Sequence, residues 1–179
     1  MISCSESDET LMVDDPLGSN LKSDKSGSVT VTVPFKADFS VWNKSDGTKC
    51  EREADYFLTM EGSGNITHLG RMTTSMTFCA EATNLPQRYY GTVGSFVAAN
   101  GDELLFVIPD GLIVVNDEDN SDYYQAKFND PISFVGGTGR FEGASGEAMT
   151  NAYVHAFPQD EWRTDFFSEG TLILVKGKR

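Results

Sequence analysis

Five glycines fall within eleven residues of the stretch ISFVGGTGRFEGASGEA, residues 132–148: Gly136, Gly137, Gly139, Gly143 and Gly146. Glycine clusters cradle phosphates in two well-known patterns. One ends in Lys followed by Ser or Thr, whose lysine reaches the phosphates; the other is G-x-G-x-x-G opening a helix. Gly137-Thr138-Gly139 begins the second pattern, but residue 142 is Glu and no Lys-Ser or Lys-Thr follows. Strand-like sequence brackets the segment on both sides. The spacing therefore predicts a tight strand-to-strand corner instead of a phosphate site, with Phe141 plugging the core behind it.

The other residues that could do chemistry are few. His68 and His155 are the only histidines, and neither has a second histidine at H-E-x-x-H spacing, so a His-pair zinc site is not predicted. His68, in NITHLG, reads as a hydrogen-bonded strand histidine. Because imidazole titrates near neutrality it is also the one named catalytic candidate, as a general base. The acidic run NDEDNSD, Asn116 to Asp122, has ligands that suit calcium. It fails the EF-hand pattern, with Asp122 where glycine is needed and Phe128 where glutamate is needed, and reads as a solvated loop. Cys50 and Cys79 could pair in an exported protein, although spacing does not fix the connectivity. There is no C-x-x-C, and no cofactor or metal is expected from any of these patterns.

Strands must position whatever site exists. From Val29 to Val41 every odd residue is apolar while the even ones are mostly polar, the period of a half-buried strand. Pro34 cannot donate to a ladder and so predicts a bulge or an edge position within that strand. The alternation repeats at Tyr56–Met60 and Met76–Ala82. Asn100-Gly101 between two apolar runs is a hairpin signal. Further strands are predicted at 112–115, 123–129, 132–135, 147–157 and 170–176, and no helical stripe of ten residues is present. The expected fold is all-β: a closed antiparallel eight-stranded barrel over residues 29–179, preceded by a flexible tether over residues 1–28. Such a barrel is either just filled by its side chains or holds one small ligand.

The 179 residues carry 27 acidic and 14 basic side chains, for a net charge of −13. That balance argues against nucleic acid and anionic membrane surfaces as partners. Near the start, Ile2-Ser3-Cys4 followed by serine and acidic residues resembles the end of a bacterial lipoprotein signal. Cys4 is thus a candidate lipidation site, anchoring the domain to a membrane through lipid chains, against the alternative of an ordinary free thiol in the tail.

FVGGTGRFEGASGEA resembles the GGTG-x-F-x-x-A-x-G segment of the allene oxide cyclase and dirigent β-barrels. Two more stretches, GSGNITHLGRM (residues 62–72, with its THLG core) and AANGDEL (residues 98–104), are similar to blocks that accompany it in uncharacterised exported bacterial proteins of the same calycin-like kind. The resemblance implies an eight-stranded barrel over most of residues 29–179 and, since the plant families form trimers, an oligomer. It supplies no catalytic constellation that maps onto this chain, and one fold often serves dissimilar functions. The expected function is that of an envelope-associated or extracellular, lipid-anchored barrel binding a small apolar ligand, with no catalytic motif evident. Two alternatives stand beside it: a cyclase- or isomerase-like enzyme using His68 or a buried carboxylate in the barrel mouth, and an adhesion or matrix lipoprotein with an exposed apolar patch.

Overall fold

The computed structural model describes residues 20–23, 29–44, 50–156 and 163–176. Nine strands appear among them: β1 (Asn20–Ser23), β2 (Val29–Asn43), β3 (Tyr56–Ile66), β4 (Gly70–Ala80), β5 (Gln87–Ala98), β6 (Glu103–Val115), β7 (Tyr124–Gly137), β8 (Ser145–His155) and β9 (Arg163–Lys176). Each pairs antiparallel with the next, and β2 also pairs with β9 along its length, so β2 to β9 close into an eight-stranded antiparallel barrel. The expected fold class is borne out. Closure leaves no long free edge to be protected from pairing with another chain. Within the segment read as a tether, Asn20–Ser23 lies along β2 as the short β1; the rest of residues 1–28, Cys4 included, lies outside the described residues.

Two ladder details follow from prolines. Pro34 pairs with Thr171 of β9 without a register shift, and on its other side it falls between the end of the β1 pairing at Thr32 and the start of the β3 pairing at Ala37. It is an edge position, not a bulge. Pro109 and Pro131 fall in a stretch where the β6–β7 ladder lapses, between the pairs Val107–Ser133 and Val114–Lys127. Lacking an N–H, neither could complete a ladder there.

The barrel has two unlike halves. At one end Phe35, Phe96, Phe106, Phe134, Phe141 and Leu104 are essentially sealed from solvent. Phe96 and Phe106 stack with ring centres 4.5 Å apart, and Phe35 meets Phe134 at 4.5 Å. The glycine-rich corner lies at this end. There the chain turns through a 3-10 turn at Gly139–Phe141 and delivers the fully buried Phe141 into the core. The corner is tied to the Asn100–Gly101 hairpin turn. Thr138 and Glu103 exchange hydrogen bonds, N–H to carbonyl at 2.8 Å and N–H to Oγ1 at 3.0 Å, and Arg140 Nε lies 3.2 Å from Asp102 Oδ2. This intimacy explains the glycines. A Cβ on Gly137 would strike the Glu103 carbonyl oxygen, and Gly139 adopts φ +58° directly against the Asp102 carboxylate.

Candidate functional site

The other half of the barrel is hollow. A cavity of about 270 Å³ opens toward the end where β2, β4, β6 and β8 finish. Its mouth is drawn from seven of the eight strands and the β4–β5 connection: Asn43, Leu58, Leu85 and Gln87 on one side, Ile113, Gln125, Val154 and Thr164 on the other. Deeper, Met60, Met76, Phe78, Tyr89, Ile108 and Phe128 form an apolar wall. Period-two alternation puts them there, since every second residue of each strand faces inward. The void is what Met60, Met76, Ile108 and Ala126 leave unfilled between the rings of Phe78, Tyr89, Phe128 and Phe166.

Cross-links outside the wall brace the mouth. Cys50 and Cys79 form a disulfide with Cα atoms 5.9 Å apart. Closing a loop of sequence separation 29 restricts the unfolded chain by about 3.6 kcal/mol on the loop-entropy model. The Tyr90 hydroxyl donates to Asp55 at 2.7 Å, and Arg52 Nη1 donates to Glu81 at 3.0 Å. Together these pin the segment that leads into β3 against β4 and β5.

Two carboxylates, Asp130 half-buried and Asp165 buried, lie near the hollow half. Asp130 is on the inward-facing parity of β7, between Phe128 and Ile132, at the lapse in the β6–β7 ladder. It accepts the Tyr89 hydroxyl at 2.8 Å, while the Tyr89 ring lines the cavity. Burial pushes the Asp130 carboxyl up and repulsion from Asp110 adds to this; bonds from Tyr89 and the Leu112 N–H oppose the rise without cancelling it. Burial likewise raises the Tyr89 hydroxyl, as do the bond to Asp130 and its charge. Gly111 is required beside this pair, because a Cβ there would meet both the Tyr89 ring and the Asp130 carboxylate.

Asp165 faces the outer wall, since Thr164 and Phe166 on either side face inward. It accepts from Ser40 Oγ at 2.6 Å, His155 Nε2 at 2.8 Å, Arg163 Nε at 2.9 Å and Tyr124 Oη at 3.0 Å. Burial alone would raise this carboxyl, but the four donors outweigh it and hold Asp165 below the usual carboxylate range. The Tyr124 hydroxyl is pushed up to about 12 by burial and by the bond to Asp165. Serine, histidine and aspartate meet here without forming a nucleophilic triad. Ser40 donates to the aspartate and not to the imidazole, so no base stands ready to take its proton. His155 is 1 % exposed, enclosed by Tyr123 and Tyr124, with Nδ1 buried and unpartnered.

The structure places His68 away from the hollow half. It sits in the β3–β4 turn at the closed end, exposed, with φ 67°, its Nε2 3.1 Å from the Pro34 carbonyl oxygen. The expectation of a strand histidine is corrected to a turn histidine: the left-handed conformation ends β3, and the ring caps the proline carbonyl. An enzyme in the barrel mouth would have to use other groups. The acidic loop after β6 is knit by Asn116, whose amide donates to Asn120 and to the Tyr124 carbonyl, and by Lys127, which reaches Asp117 at 2.6 Å and Glu118 at 3.0 Å. Among the described residues no group of three His, Cys, Asp or Glu side chains converges as a metal site would require.

The sequence reading missed Asp130 and Asp165. Asp130 was detectable, because it occupies an inward position between two apolar residues of the same parity. Asp165 had no such signal, since an outward aspartate on a strand is ordinary. Comparison with protein-family models, curated proteins and solved structures finds no match to this chain.

Proposed function

We propose that this protein is an exported, envelope-associated barrel that holds one small apolar molecule in its hollow half. The cavity carries the proposal. At about 270 Å³ it exceeds the roughly 150 Å³ apolar cavity that suffices to bind benzene and approaches the roughly 300 Å³ at which ordinary ligand pockets begin. The Cys50–Cys79 disulfide supports an oxidising compartment. The lipoprotein-like Ile2-Ser3-Cys4 supports lipid anchoring, and the motif resemblance to calycin-like exported barrels agrees with both. Mass spectrometry of protein made in a native-type host should find Cys4 lipidated, and an unmodified Cys4 on a soluble product would end the anchor reading.

The ligand itself is tested by filling the void. Ala126 is buried in the wall of the cavity, and Ala126→Phe places a ring in space that no side chain occupies. Binding of an apolar fluorescent dye should fall at least about tenfold, while the apparent Tm stays level or rises because a void is filled rather than a packed core overfilled. Unchanged dye binding would remove the cavity as the site. The second reading, an enzyme acting on an apolar substrate, draws on the Asp130–Tyr89 pair behind the cavity wall. Turnover of an apolar substrate that disappears in Tyr89→Phe would favour it over simple binding.

A further inference from the structure

We propose, building on the binding reading above, that the molecule in the cavity is uncharged and carries a single oxygen, and that Thr92 is its anchor. Thr92 lines the cavity and is 2 % exposed, and its hydroxyl is buried with no hydrogen-bond partner. A native structure rarely leaves a buried hydroxyl unsatisfied, and a ligand that supplies the partner accounts for it. Of the two other hydroxyls on the lining, that of Tyr89 is already committed to Asp130 and that of Thr164 stands at the mouth. Thr92 faces Ile108 across the β5–β6 ladder and lies two residues from Gly94, whose missing side chain makes room for the Phe106 ring. That places it at the inner end of the hollow half. The bound oxygen therefore points inward and the apolar body lies toward the mouth, where Asn43, Gln87 and Gln125 form a polar but neutral rim.

Charge sets the class. Among the described residues no Asp, Glu, Lys or Arg lines the cavity. A carboxylate or an ammonium group drawn to Thr92 would be buried with no opposite charge, which is far more costly than burying a hydroxyl that gains a bond. The net charge of −13 further disfavours anions. Alcohols and ketones are accordingly the fitting ligands, and fatty carboxylates and amines are not.

The experiment compares four probes of one chain length, octane, octanol, octanoate and octylamine, each displacing an apolar dye from the full chain at neutral pH. Octanol should bind at least about tenfold more tightly than both octanoate and octylamine. Thr92→Val should weaken octanol severalfold to about tenfold while leaving octane unchanged, and Thr92→Ser should restore octanol. Removing an unpartnered hydroxyl does not threaten folding, so the variants are measurable. If octane binds but octanol shows no preference over the ions, or Thr92→Val changes nothing, the anchor is overturned and the binding reading survives. If none of the four displaces the dye, both fall together.

Discussion

Replacing Asp165 by alanine is expected to destabilise the barrel by about 3–5 kcal/mol, the range seen when one partner of a buried charged network is removed. Four donors converge on this carboxylate from β2, β7, β8 and β9, namely Ser40, Tyr124, His155 and Arg163. Ser40 and Tyr153 stand directly opposite Asp165 on the neighbouring strands. Without the acceptor, the His155 Nε2–H is left inside an aromatic enclosure that water does not reach, and the Arg163 guanidinium loses one of its partners. Asp165→Asn should cost less, because one oxygen still accepts. Urea unfolding of the three proteins measures the order directly, and an Asp165→Ala variant within about 1 kcal/mol of the parent would show that the network is not holding the strands.

The same residue predicts a pH dependence. Asp165 is held below its unfolded value, near 3.9 for an ordinary aspartate, so in the folded state it binds its proton less readily. Its contribution is therefore fully present above about pH 4 and is lost as pH falls through the folded value. Stability measured between pH 5 and 2 should decline less steeply in Asp165→Asn than in the parent, at ionic strengths where surface carboxylates behave alike in both.

How far the sequence foretold these features depends on the local chemistry of each. The odd-position apolar run from Val29 to Val41 specified β2 because one face of a strand must meet the core. Strands β6 and β7 were each foreseen only in pieces, broken at Pro109-Asp110-Gly111 and at Asp130-Pro131. Those residues ordinarily punctuate chains, yet here both sets fall at the lapse in the β6–β7 ladder, while Asp110 and Gly111 stay paired with β5 and Asp130 and Pro131 with β8. The three motif blocks were legible and lie away from the cavity. THLG caps the β3–β4 turn, ANGD makes the β5–β6 turn, and GGTGRF locks onto it, all at the closed end. Closing a barrel demands particular turns, and particular turns demand particular residues. A void demands none. It is the sum of side-chain volumes that fail to meet, contributed by Leu58, Met76, Ile113 and Val154, each unremarkable in its own strand.

That asymmetry gives the second large effect. Phe96→Ala should cost about 3–5 kcal/mol, since Phe96 is fully buried and its ring touches those of Phe39 at 5.3 Å and Phe106 at 4.5 Å. Truncation there empties a packed site between the rings of Phe35, Phe39 and Phe106. Phe78→Ala should cost distinctly less, because one side of that ring already faces the cavity and has few atoms to lose contact with. The gap between the two variants should narrow when a ligand fills the cavity, since Phe78 then gains a partner that Phe96 always has. Denaturant midpoints with and without an apolar probe supply the comparison. Equal costs in the empty protein would mean that the interior is packed alike at both ends, and the case for a binding half would go with it.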